Sequence, residues 1–122
     1  MNIFFAILSV AYIAGIFLFA DSTVVSDIAT FNPFSLLHIP LYGILTLLLH
    51  FSFSPFKGNP LIKANLFRFL IVGLIASGVA IADEIHQAYI PGRDASTVDV
   101  LLDVAGISLC IFLIQRIQHL SA

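Results

Sequence analysis

Charge is what this chain has least of. Five Lys and Arg and seven Asp and Glu make up 10% of its 122 residues, where soluble domains carry about 25%. A surface this poor in charge excludes an ordinary water-facing globule. No basic tract is present, so the electrostatic footprint of a nucleic-acid binder is missing too. Tryptophan is absent and cysteine occurs once, as Cys110 inside an apolar run. A single cysteine can form no internal disulfide and says nothing about redox compartment. No base is placed near it to make it a nucleophile, and it reads as a small core residue. There is no internal repeat, no low-complexity segment and no compact metal motif such as H-E-x-x-H.

What is there is apolar. Hydrophobic residues make up 60% of the chain and mean hydropathy is +1.08, with twelve Phe adding to Leu and Ile. That is the composition of an integral membrane protein. The length suits one compact bundle, and residues 1–122 are expected to form a single transmembrane domain.

The chain divides into four apolar segments. The first, Ile3 to Ala20, has eighteen residues and no charge, near the lower limit for a membrane span. A signal peptide is disfavoured, because no Lys or Arg precedes the run and Leu18-Phe19-Ala20 is a poor cleavage site. Residues 21–32 are polar and read as a loop, after which Pro33 can start a helix. The second helix is expected over about 34–53, with His38 and Tyr42 one turn apart on one face and Pro40 in its first two turns. Residues 54–65, with Pro55, Gly58 and Pro60, read as a second loop. The third helix is expected over 66–88. Gly73, Ser77, Ala80, Glu84 and Gln87 follow helical spacing along it, and such a stripe of small residues allows close packing, within the bundle or between copies. Ile90-Pro91-Gly92-Arg93 is a tight turn. Ser96 or Thr97 can cap a fourth helix over about 97–117, with Asp99 in its first turn. Asp99, Asp103, Gly106 and Cys110 recur at helical spacing on it.

The fold class is therefore all-α, an integral membrane bundle of four transmembrane helices. The loop cations set its orientation. With the N-terminus cytoplasmic, Lys57, Lys63, Arg68 and Arg116 fall inside and Arg93 alone falls outside. Both termini are thus expected in the cytoplasm. The same topology brings distant polar residues to one level near the outer interface. His38 starts the second helix, Asp83, Glu84 and Gln87 end the third, Arg93 sits in the turn, and Asp99 and Asp103 start the fourth.

Ionisable residues in membrane helices are functional candidates by default. The plain alternative is structural, with Arg93 paired to Asp99 or Glu84 to pin the turn. Carboxylates outnumber the nearby permanent cations, however: Asp83, Glu84, Asp94, Asp99 and Asp103 face Arg93. Unless that surplus is neutralised, repulsion should make several of them harder to ionise; a second possibility is a divalent cation held by His38, Glu84 and the two aspartates of the fourth helix. Without a compact ligand motif this is not the favoured reading, and no cofactor is expected. His86 points away from the small-residue stripe and reads as interfacial. His50 and His119 read as boundary residues, and Tyr12 and Tyr89 as interfacial or packing aromatics.

His38-x-x-x-Tyr42, Asp83-Glu84-x-His86-Gln87, Pro91-Gly92-Arg93, Ser96, Asp99 and Gly106, taken in this order, resemble the VanZ-like family of small bacterial membrane proteins. The likeness in helix layout covers the whole chain, and its motif core runs from Ala82 to Gly106. Two positions depart from it: the family usually has asparagine where Asp103 stands and often glycine where Cys110 stands. The extra acid makes this site more negative. The resemblance implies a multi-pass protein of the bacterial plasma (inner) membrane, linked to glycopeptide (teicoplanin) resistance or other envelope processes, with no established reaction.

The residues and the resemblance together leave three functions to weigh. In the first, a site at the outer interface acts on a lipid-linked cell-wall substrate. Glu84 or Asp99 would then be the acid or base, with His38 as its partner. Arg93 would anchor a phosphate or carboxylate through its planar fork, and Tyr42, Gln87, Asp83 and Asp103 would complete the substrate-binding set. In the second, the same groups bind a lipid, a glycopeptide or a partner protein without catalysis. The third, a small transporter, is weakened because no charge lies in the middle of helix one or two. Membrane lipids are the expected surroundings in all three.

Overall fold

The computed structural model describes residues 1–20, 36–54, 66–93 and 95–121. These form four helices and, among the described residues, no strand: α1 Ile3–Ala20, α2 His38–Ser52, α3 Leu66–Ala88 and α4 Thr97–Leu120. α1, α3 and α4 are long and apolar enough to cross a membrane, and α2 is shorter and also apolar. Most of the two expected loops, with Pro33, Lys57 and Lys63, lies outside the described residues, as does Asp94.

α1 and α3 have the bounds that hydropathy and turn chemistry assign them. α3 stops at Ala88, where the Ile90-Pro91-Gly92 turn begins. Arg93 N–H donates to the Ile90 carbonyl at 3.2 Å, and Gly92 takes φ +81°, a torsion that suits glycine. α2 begins at His38, with Leu36 and Leu37 in a 3₁₀ turn before it, and the expected start near residue 34 lies outside the described residues. Pro40 has no N–H to give the Leu36 carbonyl, so the α-type ladder can first close on Leu37. α4 runs three residues past its expected end, because nothing in Gln118-His119-Leu120 breaks a helix.

The short helix is the central one. α2 packs against α1, α3 and α4, whereas α1 touches α2 and α3 only. Tyr42, Leu45 and Leu49 of α2 meet Ile16, Val72, Ala76, Ala80 and Ile107 in one core. The buried face of α3 therefore runs through Val72, Ala76 and Ala80, with Gly73 and Ser77 on its flank. Large apolar side chains such as Phe4, Leu18, Phe67, Leu74 and Leu113 stay exposed on the outside, as lipid-facing residues do.

The tightest approach is between α2 and α4. A Cβ built on Gly106 would overlap the backbone carbonyl of Ile39, and one on Gly43 would stand 3.6 Å from the Gly106 carbonyl oxygen. Backbone meets backbone here, which only glycine permits. At the far end, Asn2 N–H donates to the Ser52 carbonyl at 2.7 Å, and the Ser9 and Ser52 hydroxyls are 3.0 Å apart. Successive helices alternate in direction, so the chain starts and ends at that end.

Candidate functional site

At the opposite end, the Gly106–Ile39 contact lets His38 reach Asp103. Asp103 lies one turn before Gly106 on α4, and His38 precedes Ile39 on α2. The imidazole Nδ1–H donates to Asp103 Oδ1 at 2.8 Å. The other ring nitrogen, Nε2, faces Asp99 Oδ2 at 3.9 Å. Asp99 and Asp103 are four residues apart and share a helix face, so α4 presents one acid to each edge of the ring. Asp103 is completely buried, whereas the His38 and Asp99 side chains are each 17% exposed.

α3 contributes the second part. Asp83, Glu84 and Gln87 are all buried. Glu84 Oε2 accepts the backbone N–H of Ser96 at 2.8 Å. Ser96 is the N-cap of α4, in extended conformation, and its side chain makes no capping bond. In a capping box the residue three positions on, here Asp99, would reach back for this N–H. Glu84 takes it from another helix instead, and Asp99 is left to face His38. One turn deeper, Tyr42 is buried and its hydroxyl donates to Asp83 Oδ2 at 3.3 Å. At the rim, Arg93 Nη1–H donates to Gln87 Oε1 at 3.2 Å. The structural alternative, with Arg93 paired to Asp99 or Glu84, does not occur among the described residues.

The eight candidate residues thus fall into three groups. His38, Glu84, Asp99 and Asp103 form a cluster, Tyr42 and Asp83 lie beneath it, and Gln87 and Arg93 stand at its edge. Asp83 Oδ1, Glu84 Oε1 and Asp103 Oδ2 are buried and have no hydrogen-bond partner among the described residues. One ring nitrogen of His38 and one oxygen each of Glu84 and Asp103 lie within 4.8 Å of one another, a donor set that could hold a cation. Between the end of α3 and the start of α4 runs an open groove of about 400 Å³. Ile81, Ile85, Tyr89 and Val100 make its walls apolar, and Glu84, Ser96 and Thr97 add polar atoms.

Other polar residues have bland settings or unexpected ones. His86 packs its ring 5.4 Å from that of Phe17, the Tyr12 hydroxyl donates to the Leu41 carbonyl at 2.9 Å, and Cys110 is only half-buried. His50, expected at a boundary, is buried and stacks on Phe69 with ring centroids 5.6 Å apart. The sequence held the signal: His38, Tyr42, Thr46 and His50 are spaced four apart and share the inner face of α2.

The model of the family described as VanZ/LLP1 matches residues 3–118. The chain belongs to the VanZ/LLP1 family. Neither the curated proteins nor the solved structures gave a match. The VanZ/LLP1 match and the three long apolar helices together make this a membrane protein. All the candidate residues of α2, α3 and α4 lie inside the matched region, so the site belongs to the VanZ/LLP1 domain itself.

Proposed function

We propose that this VanZ/LLP1 protein is a multi-pass protein of the bacterial plasma membrane, with both ends in the cytoplasm. Its polar rim then faces outward and takes the head group of a lipid-linked envelope substrate. The chain of the lipid lies in the groove between α3 and α4, and Arg93 anchors the phosphate or carboxylate. His38, Glu84 and Asp99 are the groups that act on it. One observation supports this reading above the others: Glu84 belongs both to the buried cluster and to the lining of the apolar groove. A lipid tail in the groove would bring its head group to the acids. Arg93 Nε and Nη2 are buried and have no hydrogen-bond partner among the described residues, so two donors of its fork are unspent.

A non-catalytic binding role is favoured by a different observation. Glu84 already spends one oxygen on the Ser96 N–H, as a positioning residue would. The two readings separate on conservative variants. Glu84→Gln keeps an acceptor for that N–H, so it spares recognition and abolishes chemistry that needs the acid.

The test uses a teicoplanin-sensitive bacterium that makes the protein. Expression is expected to lower its teicoplanin sensitivity, with the effect lost in the Glu84→Ala/Asp99→Ala double variant and weakened in Arg93→Ala. Full protection by a double variant that is made in normal amount would overturn the proposed site.

A further inference from the structure

We infer that His38, Glu84 and Asp103 form a binding site for a divalent transition-metal ion of the zinc class. Their donor atoms come from three different helices and already lie within 4.8 Å of one another. Ligands around a tetrahedral zinc, bonded at about 2.0–2.2 Å, stand roughly 3.4 Å apart. Side-chain movements on the order of 1 Å would close the shell. The ion would take the place of the proton that Nδ1 shares with Asp103. On the other edge of the ring, Asp99 stands opposite Nε2, where the outer carboxylate of a metal-bound histidine is commonly found.

The second observation is independent of the spacing. Glu84 is 5% exposed and Asp103 0%, yet Glu84 Oε1 and Asp103 Oδ2 have no hydrogen-bond partner among the described residues. Buried carboxylate oxygens are ordinarily satisfied. Asp83 lies beside them, 2% exposed, and no Lys or Arg forms an ion pair with any of these acids among the described residues. A dication supplies both the missing partners and the missing positive charge. The donor set selects the ion: calcium and magnesium prefer oxygen alone, whereas an imidazole with carboxylates suits zinc or manganese.

Three protein ligands leave a coordination position open. Glu84 also lines the groove, so an ion it held would be within reach of an anion lying there. A phosphate head group would otherwise be repelled by the acids, and the ion would bridge the two. This last step rests on the substrate reading above, with His38 and Glu84 then acting on the head group through the ion they hold; the metal site itself rests on the donors alone.

The test is metal binding by the purified full chain in detergent, free of any histidine tag and stripped with chelator. Cobalt(II) is expected to give visible ligand-field bands that saturate at one equivalent and are bleached by zinc. Zinc is expected to raise the thermal unfolding temperature. Loss of even an outer partner of a metal site costs about 10–100-fold in affinity, so Asp99→Asn should weaken zinc binding by at least tenfold. His38→Gln and Glu84→Gln should weaken it further and remove the cobalt bands. His119→Gln, at the exposed far end of α4, should bind as the unaltered chain does. Absence of cobalt bands in the unaltered chain overturns the site, and so does unchanged zinc affinity in Glu84→Gln and Asp99→Asn. If zinc does not bind but the Glu84→Ala/Asp99→Ala variant still loses its effect in cells, the metal falls and the functional reading stands.

Discussion

His38 is held between two acids on one helix, and the inner one, Asp103, has no contact with solvent. In metal-free conditions His38→Ala leaves a buried carboxylate without its donor. Breaking a buried pair in this way costs about 3–5 kcal/mol, so the variant should be the least stable of the cluster in reversible unfolding from mixed micelles. His38→Gln, which keeps an N–H, should lose clearly less. Equal stability of the alanine variant and the unaltered chain would mean that the pair contributes nothing. Tyr42→Phe removes only the 3.3 Å bond to Asp83. Hydrogen bonds between membrane helices average about 0.6 kcal/mol and reach about 1.7, so a loss of about 1 kcal/mol is expected in the same assay. The shared face of His38 and Tyr42 was legible, since four-residue spacing on a helix fixes it. The partners were not. Which carboxylate His38 meets depends on how closely α2 approaches α4, and a residue pattern contains no interhelical distance. Arg93 shows the same limit: opposite charge offered Asp99 or Glu84 as the structural alternative, and the guanidinium bonds to Gln87.

Between elements, the distance is set by Gly106. Its missing Cβ is occupied by the Ile39 backbone, which cannot rotate aside as a side chain would. Gly106→Ala must therefore part α2 from α4. Overpacking of this kind costs about 1–3 kcal/mol, and it should also stretch the His38–Asp103 bond one turn away. Gly43→Ala places its methyl at an ordinary contact distance of 3.6 Å and should cost less than about 1 kcal/mol. Unfolding measurements that reversed this order would show that the crossing point lies elsewhere. A second junction ties α3 to α4. Glu84→Ala leaves the Ser96 N–H without its acceptor, and loss of an N-cap partner costs about 1 kcal/mol. Faster amide hydrogen exchange at Ser96 would report it directly. The helices themselves were largely readable. Their apolar runs end where Pro and Gly force turns, and α2 starts at His38, two residues before a proline that withholds a donor. The capping of α4 by an acid on α3 was hidden, because the local order Ser96-x-x-Asp99 suggests a cap made within one helix.

At the scale of the whole molecule, the alternating helices put both chain ends at one end of the bundle and the His–acid cluster at the other, whichever way the protein sits in a membrane. Orientation must then come from charge. Among the described residues, a placement with both ends cytoplasmic puts Arg68 and Arg116 on one side and leaves Arg93 on the other, a two-to-one bias in the direction that cytoplasmic loops favour. The polar rim has the opposite character, with acids in excess, which that rule tolerates on either face. Accessibility of introduced cysteines decides the matter. In a Cys110→Ser background, Tyr89→Cys lies at an 84% exposed position beside the rim, and Ser121→Cys follows the last turn of α4. A membrane-impermeant maleimide should label position 89 in intact spheroplasts and position 121 only after lysis. The reverse pattern would turn the cluster to the cytoplasm. The substrate proposed for the groove would then have to be a cytoplasmic-leaflet lipid, while the stability and metal-binding expectations would stand unchanged, since they depend on contacts inside the bundle and not on which side of the membrane faces them.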